Sequence, residues 1–420
     1  MQRILAVAAF IQFFVCVVLA VAIPKATTIS LGILMAGSVF VVLFLQSPGR
    51  RIIDDLPVMR WLALMLPSAL VAFSSIWSED PQSAYAAAIC LGFPIIAYGV
   101  VAGTRFIIPE LVLKVCHNGF TMGISFAVAA AAVDVITDQA LSRWVFSTWP
   151  HLPEAKTAHV VFENEKAVFV SEATPNRRAI VLTCLLPAFI HSVSKLRTRA
   201  QLSLIAVPGL LGYGGLFMST HSLTAQMAAA GGALAFLLAM YLPRITLLGL
   251  ASAWTATWIL VVPTMDLMAN ARLDQASWLP PSAAERVEIW AGVARDVQDK
   301  PIFGVGVGTQ AHAAVLSDET DKGSWTKHPT HHPHNGFLQI WHELGGLGVL
   351  TFLVFGLWLI RRISLLQKGI MPYFCGLFAI CAVINATGFG IWQHWLLSVF
   401  GLAAGLLRVL TVPLLRRAGS

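Results

Sequence analysis

The sequence predicts an all-α polytopic membrane protein with about twelve transmembrane helices. Of its 420 residues, 57% are hydrophobic and only 12% are charged, whereas soluble domains carry about 25% charged residues. The mean hydropathy is +0.74. This composition excludes an ordinary soluble enzyme, a disordered chain and a nucleic-acid-binding module. The net charge of +7 is therefore interpreted as setting the orientation in the membrane and attracting anionic lipid.

Long apolar runs recur along the chain between short polar breaks, and residues 1–420 are predicted to form a single integral membrane domain. Because backbone inside a bilayer must satisfy its own polar groups, each run is predicted to be a helix. The first run is too long for a signal peptide and is interpreted as a retained span. A Gly-rich stretch at 228–234 predicts close helix packing. The spans are predicted to begin near Ile4, Ile29, Trp61, Ser83, Ile108, Arg178, Leu202, Leu223, Ile245, Gly345, Ile370 and Leu396.

Basic residues are concentrated in alternate short breaks between these spans. They are Arg50, Arg51, Arg60, Arg105, Lys195, Arg197, Arg199, Arg244, Arg361, Arg362 and Lys368. Since cytoplasmic loops carry the excess of Lys and Arg, both termini are predicted to be cytoplasmic. Two long loops, 137–176 and 264–343, then face the opposite side. They hold most of the acidic residues, so function is expected there.

The spans themselves are nearly free of charge. Coupled transporters usually bury ionisable groups at mid-membrane, so this class of protein is disfavoured. Arg408 is the one clear arginine inside a late span, and it lies within snorkelling reach of the cytoplasmic face.

The second long loop is predicted to contain a short amphipathic helix. Residues 282–285 match a capping box after two prolines, and apolar residues recur at helical spacing from Val287 to Val297. Such a helix can lie on the membrane surface, which would hold Arg286 near the headgroup level.

A dense cluster of polar residues at 327–343 precedes the tenth span. Its imidazoles leave three interpretations open. One is a catalytic histidine, because imidazole accepts protons near neutral pH. A second is a zinc site formed by His332, His334 and His342. The third is a polar loop with no special role.

Each of three further polar segments has two possible roles. The glycine-rich segment 301–309 is interpreted as a tight turn rather than a phosphate loop, because no lysine follows in Walker spacing. Arg177 and Arg178, at the entry to the sixth span, suit either phosphate binding or headgroup anchoring. His221 and Ser222 would either line a cleft or cap the following helix.

An active site on the non-cytoplasmic side has no access to nucleotide sugars or ATP. A transferase there must take an activated donor from the membrane, and a polyprenyl-diphosphate-linked glycan meets that requirement. Arginines can stabilise the charge of the diphosphate leaving group without a metal.

Several short motifs occur in a fixed order along nearly the whole chain. They lie at 75–81, 176–177, 282–290, 301–309, 332–339 and 343–348. Because these motifs occur in this order, the chain resembles the O-antigen ligase and polymerase superfamily, and most closely its O-antigen ligases. The resemblance implies a GT-C-type glycosyltransferase of the bacterial inner membrane, with both long loops in the periplasm.

The same resemblance implies the reaction and its partners. The protein would transfer O-antigen glycan from undecaprenyl diphosphate to a sugar of lipid A–core in an inverting, metal-independent displacement. Its partners would be that donor, that acceptor and membrane lipids, with no cofactor, nucleotide or nucleic acid. The alternatives are an O-antigen polymerase and a lipid-linked glycan transporter.

The family's functional residues map onto particular positions here. The histidine before Asn335 and the arginine of the 282–290 motif make His334 and Arg286 the expected catalytic residues. Many relatives carry a Ser-Arg pair at the start of the eighth span, but here Leu223 follows Ser222, which places more weight on the other arginines. The expected substrate-binding residues are Arg177, Arg178, His221, Ser222, His332 and Asn335.

Overall fold

The structure, a computed structural model, describes residues 2–45, 58–103, 108–156, 159–195, 207–220, 222–279, 281–309, 311–316, 325–330 and 332–411. These ranges contain fourteen α-helices. They are α1 (Gln2–Ala22), α2 (Thr27–Leu45), α3 (Val58–Phe73), α4 (Pro81–Gly103), α5 (Glu110–Ile136), α6 (Ala140–Thr148), α7 (Ala173–Val193), α8 (Val207–Ser219), α9 (Leu223–Tyr241), α10 (Pro243–Asn270), α11 (Pro281–Asp299), α12 (Gly336–Ser364), α13 (Met371–Thr387) and α14 (His394–Leu410).

Each of the twelve predicted spans corresponds to one helix, and only α6 and α11 lie outside this set. Within the described ranges, six helices are long and apolar enough to cross a membrane, namely α1, α4, α5, α9, α10 and α12. The predicted helical membrane fold is thereby confirmed. The number of twelve crossings and the cytoplasmic placement of both termini stay predictions.

Close packing of the helices depends on small residues. A Cβ on Gly119 of α5 would lie 2.6 Å from the carbonyl oxygen of Phe10 in α1. The stretch 228–234 behaves in the same way, because a Cβ on Gly232 of α9 would lie 3.2 Å from the carbonyl oxygen of Gly376 in α13. This contact aligns α9 and α13, so the first turn of α9 lies beside the last turn of α13.

The two long loops contain more structure than the sequence predicted. The first holds α6 and an antiparallel hairpin of β1 (Val160–Glu163) and β2 (Lys166–Val170). The second holds the predicted amphipathic helix as α11, and an antiparallel hairpin of β3 (Ala311–Leu316) and β4 (Trp325–Thr330). The two hairpins were not predicted, because strands this short have no distinctive hydropathy pattern in an otherwise apolar chain.

Two helices begin earlier than predicted. Helix α7 begins at Ala173 rather than near Arg178, and α12 begins at Gly336 rather than near Gly345. The polar residues near the starts of these helices do not interrupt them, because Arg177 and Arg178 in α7 and Glu343 in α12 are buried and bonded to other polar side chains. The predicted start at Gly345 coincides with a kink inside α12, where that residue adopts φ 58° and ψ −157°.

The glycine-rich segment 301–309 is the predicted tight turn. It runs along the kink of α12, where the amides of Val305 and Gly306 donate to the carbonyls of His342 and Glu343, each at 2.9 Å. In return, the amide of Gly346 donates to the carbonyl of Pro301 at 2.8 Å. The amides that a phosphate loop would offer to a ligand are therefore bonded within the protein.

We expect Gly345→Ala to destabilise the fold by about 2 kcal/mol or more, because φ near +60° with an extended ψ is essentially restricted to glycine. A Cβ at this position would also lie 2.5 Å from the carbonyl carbon of Ile302. The matched control is Gly249→Ala in α10, where a Cβ would meet nothing within 4 Å. The thermal unfolding midpoint in detergent checks this, and equal midpoints for the two variants would contradict the kink's importance.

Candidate active site

Arg286 and His334 meet at the carboxyl end of α13. The Nη1 of Arg286, on α11, donates to the carbonyl of Thr387 at 2.9 Å. The Nδ1 of His334, just before α12, lies 3.0 Å from the carbonyl of Gly388. These carbonyls belong to consecutive residues and the charge of Arg286 acts on the imidazole, so the guanidinium and the imidazole are neighbours. The last carbonyls of a helix lack intrahelical partners and carry partial negative charge, so they suit both donors.

The bond to Gly388 determines which nitrogen of His334 carries the proton. A carbonyl only accepts hydrogen bonds, so Nδ1 must donate and the neutral ring keeps its lone pair on Nε2. Burial lowers the pKa of His334 below its usual value, and the positive charge of Arg286 lowers it further. The bond to Gly388 and the charge of Glu285 oppose this shift without reversing it. At neutral pH the ring is therefore neutral, and Nε2 can accept a proton.

The turn that carries His334 is held in a strained conformation. His334 adopts φ 53°, a region that costs a non-glycine residue of order 1–3 kcal/mol. Trp290 of α11 donates from Nε1 to the carbonyl of Pro333 at 2.7 Å. On the other side, the Asn335 side chain caps α12 by accepting from the amides of Phe337 and Leu338 at 3.0 and 3.1 Å. Bonds on both sides of His334 thus preserve its orientation.

Arg286 has no acidic partner among the described residues. Its side chain is half-buried, and burial lowers its pKa from the usual value, against the raising effect of exposed Glu285. Arginine stays charged despite such a shift, since its usual pKa exceeds 12. Within the described part of the chain, its guanidinium donates a hydrogen bond to the carbonyl of Thr387. A half-buried cation without a carboxylate is suited to receive an anionic ligand.

Two other predicted residues belong to the same cluster. The ring of His332 lies 4.2 Å from that of His334, centroid to centroid, and its Nε2 lies 3.3 Å from the side-chain amide of Gln393. Ser222 caps α9 by accepting a hydrogen bond from the amide of Ala225 at 3.3 Å, which is the capping role that the sequence predicted as one of two interpretations.

The first turn of α9 reaches the same carbonyl as Arg286. The hydroxyl of Thr224 donates to the carbonyl of Thr387 at 2.9 Å. Ser222 is therefore close to the Arg286 and His334 pair. His221 lies outside the described residues.

Arg177 and Arg178 occupy a separate position near the start of α7. Arg177 forms a buried ion pair with Glu154 at 2.6 Å, and Arg178 forms one with Asp134 at 2.5 Å. Arg178 also donates to the carbonyl of Ala22 at 3.0 Å. Within the described ranges, neither arginine contacts Arg286 or His334. Their positive charge is compensated by carboxylates. The pair of Arg177 with Glu154 attaches the first long loop to α7, and the pair of Arg178 with Asp134 joins α7 to α5.

We expect Asp134→Asn to lower stability by about 3–5 kcal/mol, because it leaves the charge of Arg178 buried without its partner. The matched control is Asp138→Asn, since that carboxylate is 96% exposed and pairs with Arg143 at the surface. Thermal unfolding of both variants in detergent checks this. A control shift as large as that of Asp134→Asn would contradict a special role of burial.

The zinc interpretation needed His342 beside His332 and His334. Instead, Nε2 of His342 lies 3.5 Å from a carboxylate oxygen of Asp296 on α11, and the pair is almost fully buried. In the described part of the chain, no group of three potential ligands could hold a metal ion. The three-histidine set is therefore not assembled.

Sequence reasoning missed a buried carboxylate in the first part of α12. Glu343 is 4% exposed and accepts hydrogen bonds from Gln339 at 2.8 Å and from the Trp392 indole. Gln339 in turn accepts from the amide of Ile391 at 2.9 Å. These bonds attach α12 to the turn that follows α13. The carbonyls that accept from Arg286 and His334 lie at the start of this turn. The sequence signal that could have identified this residue is a glutamate within an otherwise apolar helix.

Part of the chain is similar to known proteins. Residues 208–353 match the family model of the O-antigen ligases. The chain is 36% identical over 123 residues to a "putative polysaccharide ligase" of Rickettsia conorii. These aligned residues are 28% of this chain and 29% of that protein. A protein of the same description from Rickettsia bellii is 27% identical over 187 residues, or 43% of this chain and 45% of its own length.

These matches span less than half of either relative. The region that matches the family model includes Arg286, His334 and the kink of α12. The chain therefore shares with the O-antigen ligase family the segment that carries its candidate site, which confirms the resemblance that its motifs indicated.

Proposed function

We propose that this protein is a GT-C-type glycosyltransferase that transfers O-antigen glycan from undecaprenyl diphosphate to a sugar of lipid A–core. The reaction would take place on the periplasmic face of the bacterial inner membrane. The observation that carries the proposal is the juxtaposition of the unprotonated Nε2 of His334 with Arg286, a cation that no carboxylate among the described residues pairs with. A base beside an unpaired cation is what hydroxyl attack on a diphosphate-activated sugar requires.

In the proposed reaction, Nε2 of His334 accepts the proton of the acceptor hydroxyl. The hydroxyl oxygen forms a bond to the anomeric carbon of the donor glycan. The bond between that carbon and the diphosphate oxygen breaks, and the electron pair leaves with undecaprenyl diphosphate. Arg286 stabilises the negative charge that develops on this leaving group. One direct displacement inverts the anomeric centre, and no metal or cofactor takes part.

The remaining predicted residues have supporting roles in this proposal. His332, Asn335 and Ser222 surround the pair and contribute to binding of the substrate sugars. Arg177 and Arg178 are kept as donor-binding residues on sequence grounds, but because carboxylates compensate their charge, Arg286 is the principal contact to the diphosphate. His221 is kept as a substrate-binding residue on sequence grounds.

Reconstitution of the purified protein in liposomes tests the function. Undecaprenyl-diphosphate glycan and lipid A–core are supplied together with a chelator and without nucleotide. Glycan attached to lipid A–core is the expected product. Longer glycans still linked to undecaprenyl diphosphate would establish a polymerase instead, and transport of the donor without any new glycosidic bond would establish a transporter.

A further inference from the structure

The opposite end of the bundle contains a second cation that the proposed reaction does not use. Arg408, near the end of α14, is only 7% exposed, and its Nη1 is buried without a hydrogen-bond partner in the part of the chain that the structure describes. Leu34 of α2 and Val101 of α4 lie beside Gly405, one turn earlier on the same face of α14. Apolar side chains of α2 and α4 thus pack against the face of α14 that carries Arg408.

No carboxylate among the described residues pairs with Arg408. A buried cation in this position is costly unless an anion or another polar group compensates it. This situation differs from that of Arg177 and Arg178, which each have a buried carboxylate. Among the described residues, the charge of Arg408 is therefore left without a compensating anion.

A hydroxyl and a second cation belong to the same neighbourhood. Tyr98 lies three residues before Val101, on the face of α4 that packs beside Gly405 and Arg408, and it interacts electrostatically with Arg408 and with Arg362 near the end of α12. The guanidinium of Arg362 lies 6.0 Å from the ring centroid of Trp358. Aromatic and basic side chains at the ends of spans mark the headgroup level of a bilayer. Two arginines and a phenol at this level can surround one phosphate group.

We propose that Arg408, with Tyr98 and Arg362, binds the phosphate of an anionic phospholipid in the leaflet at this end of the bundle. The same end carries Lys195 and Arg244 after α7 and α9, so its basic character extends beyond the site. Basic pockets between membrane helices bind anionic headgroups in this way. The site is distant from the Arg286 and His334 pair, and it does not depend on the proposed reaction.

Lipid retention by delipidated protein tests the proposal. Phosphatidylglycerol, phosphatidylcholine or inorganic phosphate is added to the protein in detergent, and native mass spectrometry and the thermal unfolding midpoint are recorded. We expect phosphatidylglycerol to be retained about fivefold better than phosphatidylcholine, as one arginine near the headgroup predicts. Arg408→Met should abolish this preference. Inorganic phosphate should not displace the lipid.

The matched control is Arg361→Gln, which changes an exposed arginine at the same end whose side chain donates to the nearby Ser364 hydroxyl at 3.1 Å. It should retain the lipid as the unmodified protein does. Tyr98→Phe, which removes only a hydroxyl, should weaken retention and provides the test if Arg408→Met does not fold. Equal retention of both phospholipids, or loss of preference in Arg361→Gln alone, would overturn the proposal. Stabilisation by inorganic phosphate equal to that by the lipid would indicate a free-anion site instead.

Discussion

His334→Gln is expected to lower the rate of glycan transfer by about 10²–10⁴-fold, the usual contribution of a general base. The glutamine amide can still donate to the carbonyl of Gly388, so the variant removes the base while keeping the hydrogen bond that holds the turn. Transfer to lipid A–core in liposomes measures the rate. Binding of the donor should change little, because the imidazole acts on the acceptor.

The matched control is His151→Gln, which changes an exposed histidine in the first long loop. It should transfer glycan at the unmodified rate. If His334→Gln also kept that rate at equal expression, His334 would not be the base.

The pH dependence of the rate gives a second readout for His334. Its pKa is lowered mainly by burial and further by Arg286, so the neutral ring persists below the usual histidine value of 6.5. The rate should therefore stay constant as the pH falls through 6.5, and should decline only at lower pH, where Nε2 becomes protonated. An acid limb above 6.5 would contradict the assignment.

Arg286→Gln is expected to lower the rate by about 10²–10³-fold and to weaken donor binding, because the leaving diphosphate loses its principal positive charge. Arg286→Lys keeps the charge but not the planar, bidentate hydrogen bonding, so it should recover only part of the rate. Removing the positive charge beside His334 should also raise the pKa of the imidazole. The acid limb of the remaining activity should then move to higher pH.

The matched control for Arg286 is Arg295→Gln on the same helix, where the neighbouring charge is that of Asp266. It should keep both the donor affinity and the position of the acid limb. Unchanged donor binding in Arg286→Gln would refute the diphosphate contact. An unchanged acid limb would show that Arg286 and His334 do not interact in solution.

Local patterns were sufficient for much of the fold. An apolar run of about twenty residues signals a membrane helix without reference to the rest of the chain, and each of the predicted runs is helical. Capping and amphipathic spacing likewise identified α11, and glycine spacing identified the turn at 301–309. The candidates His334 and Arg286 came from motifs that are also contiguous in sequence.

Contacts between distant parts of the chain could not be found in this way. The buried partners of Arg178 and Arg177, Asp134 and Glu154, are 44 and 23 positions away. The hydrogen-bond acceptors for Arg286 and His334 are backbone carbonyls, which have no residue-type signature. Nothing in the sequence around Arg177 and Arg178 distinguished a structural ion pair from a phosphate contact.

The sequence by itself determined that the chain is a bundle of membrane helices and which residue types are available for chemistry, since hydropathy and motif spacing are local properties. Only the tertiary structure decided that carboxylates pair with Arg177 and Arg178 and that, within the described residues, none pairs with Arg286. It also decided that Arg286 and His334, 48 positions apart, share the carboxyl end of α13. The physical reason is that charge compensation and proton position depend on neighbours in space, and those neighbours are determined by helix packing.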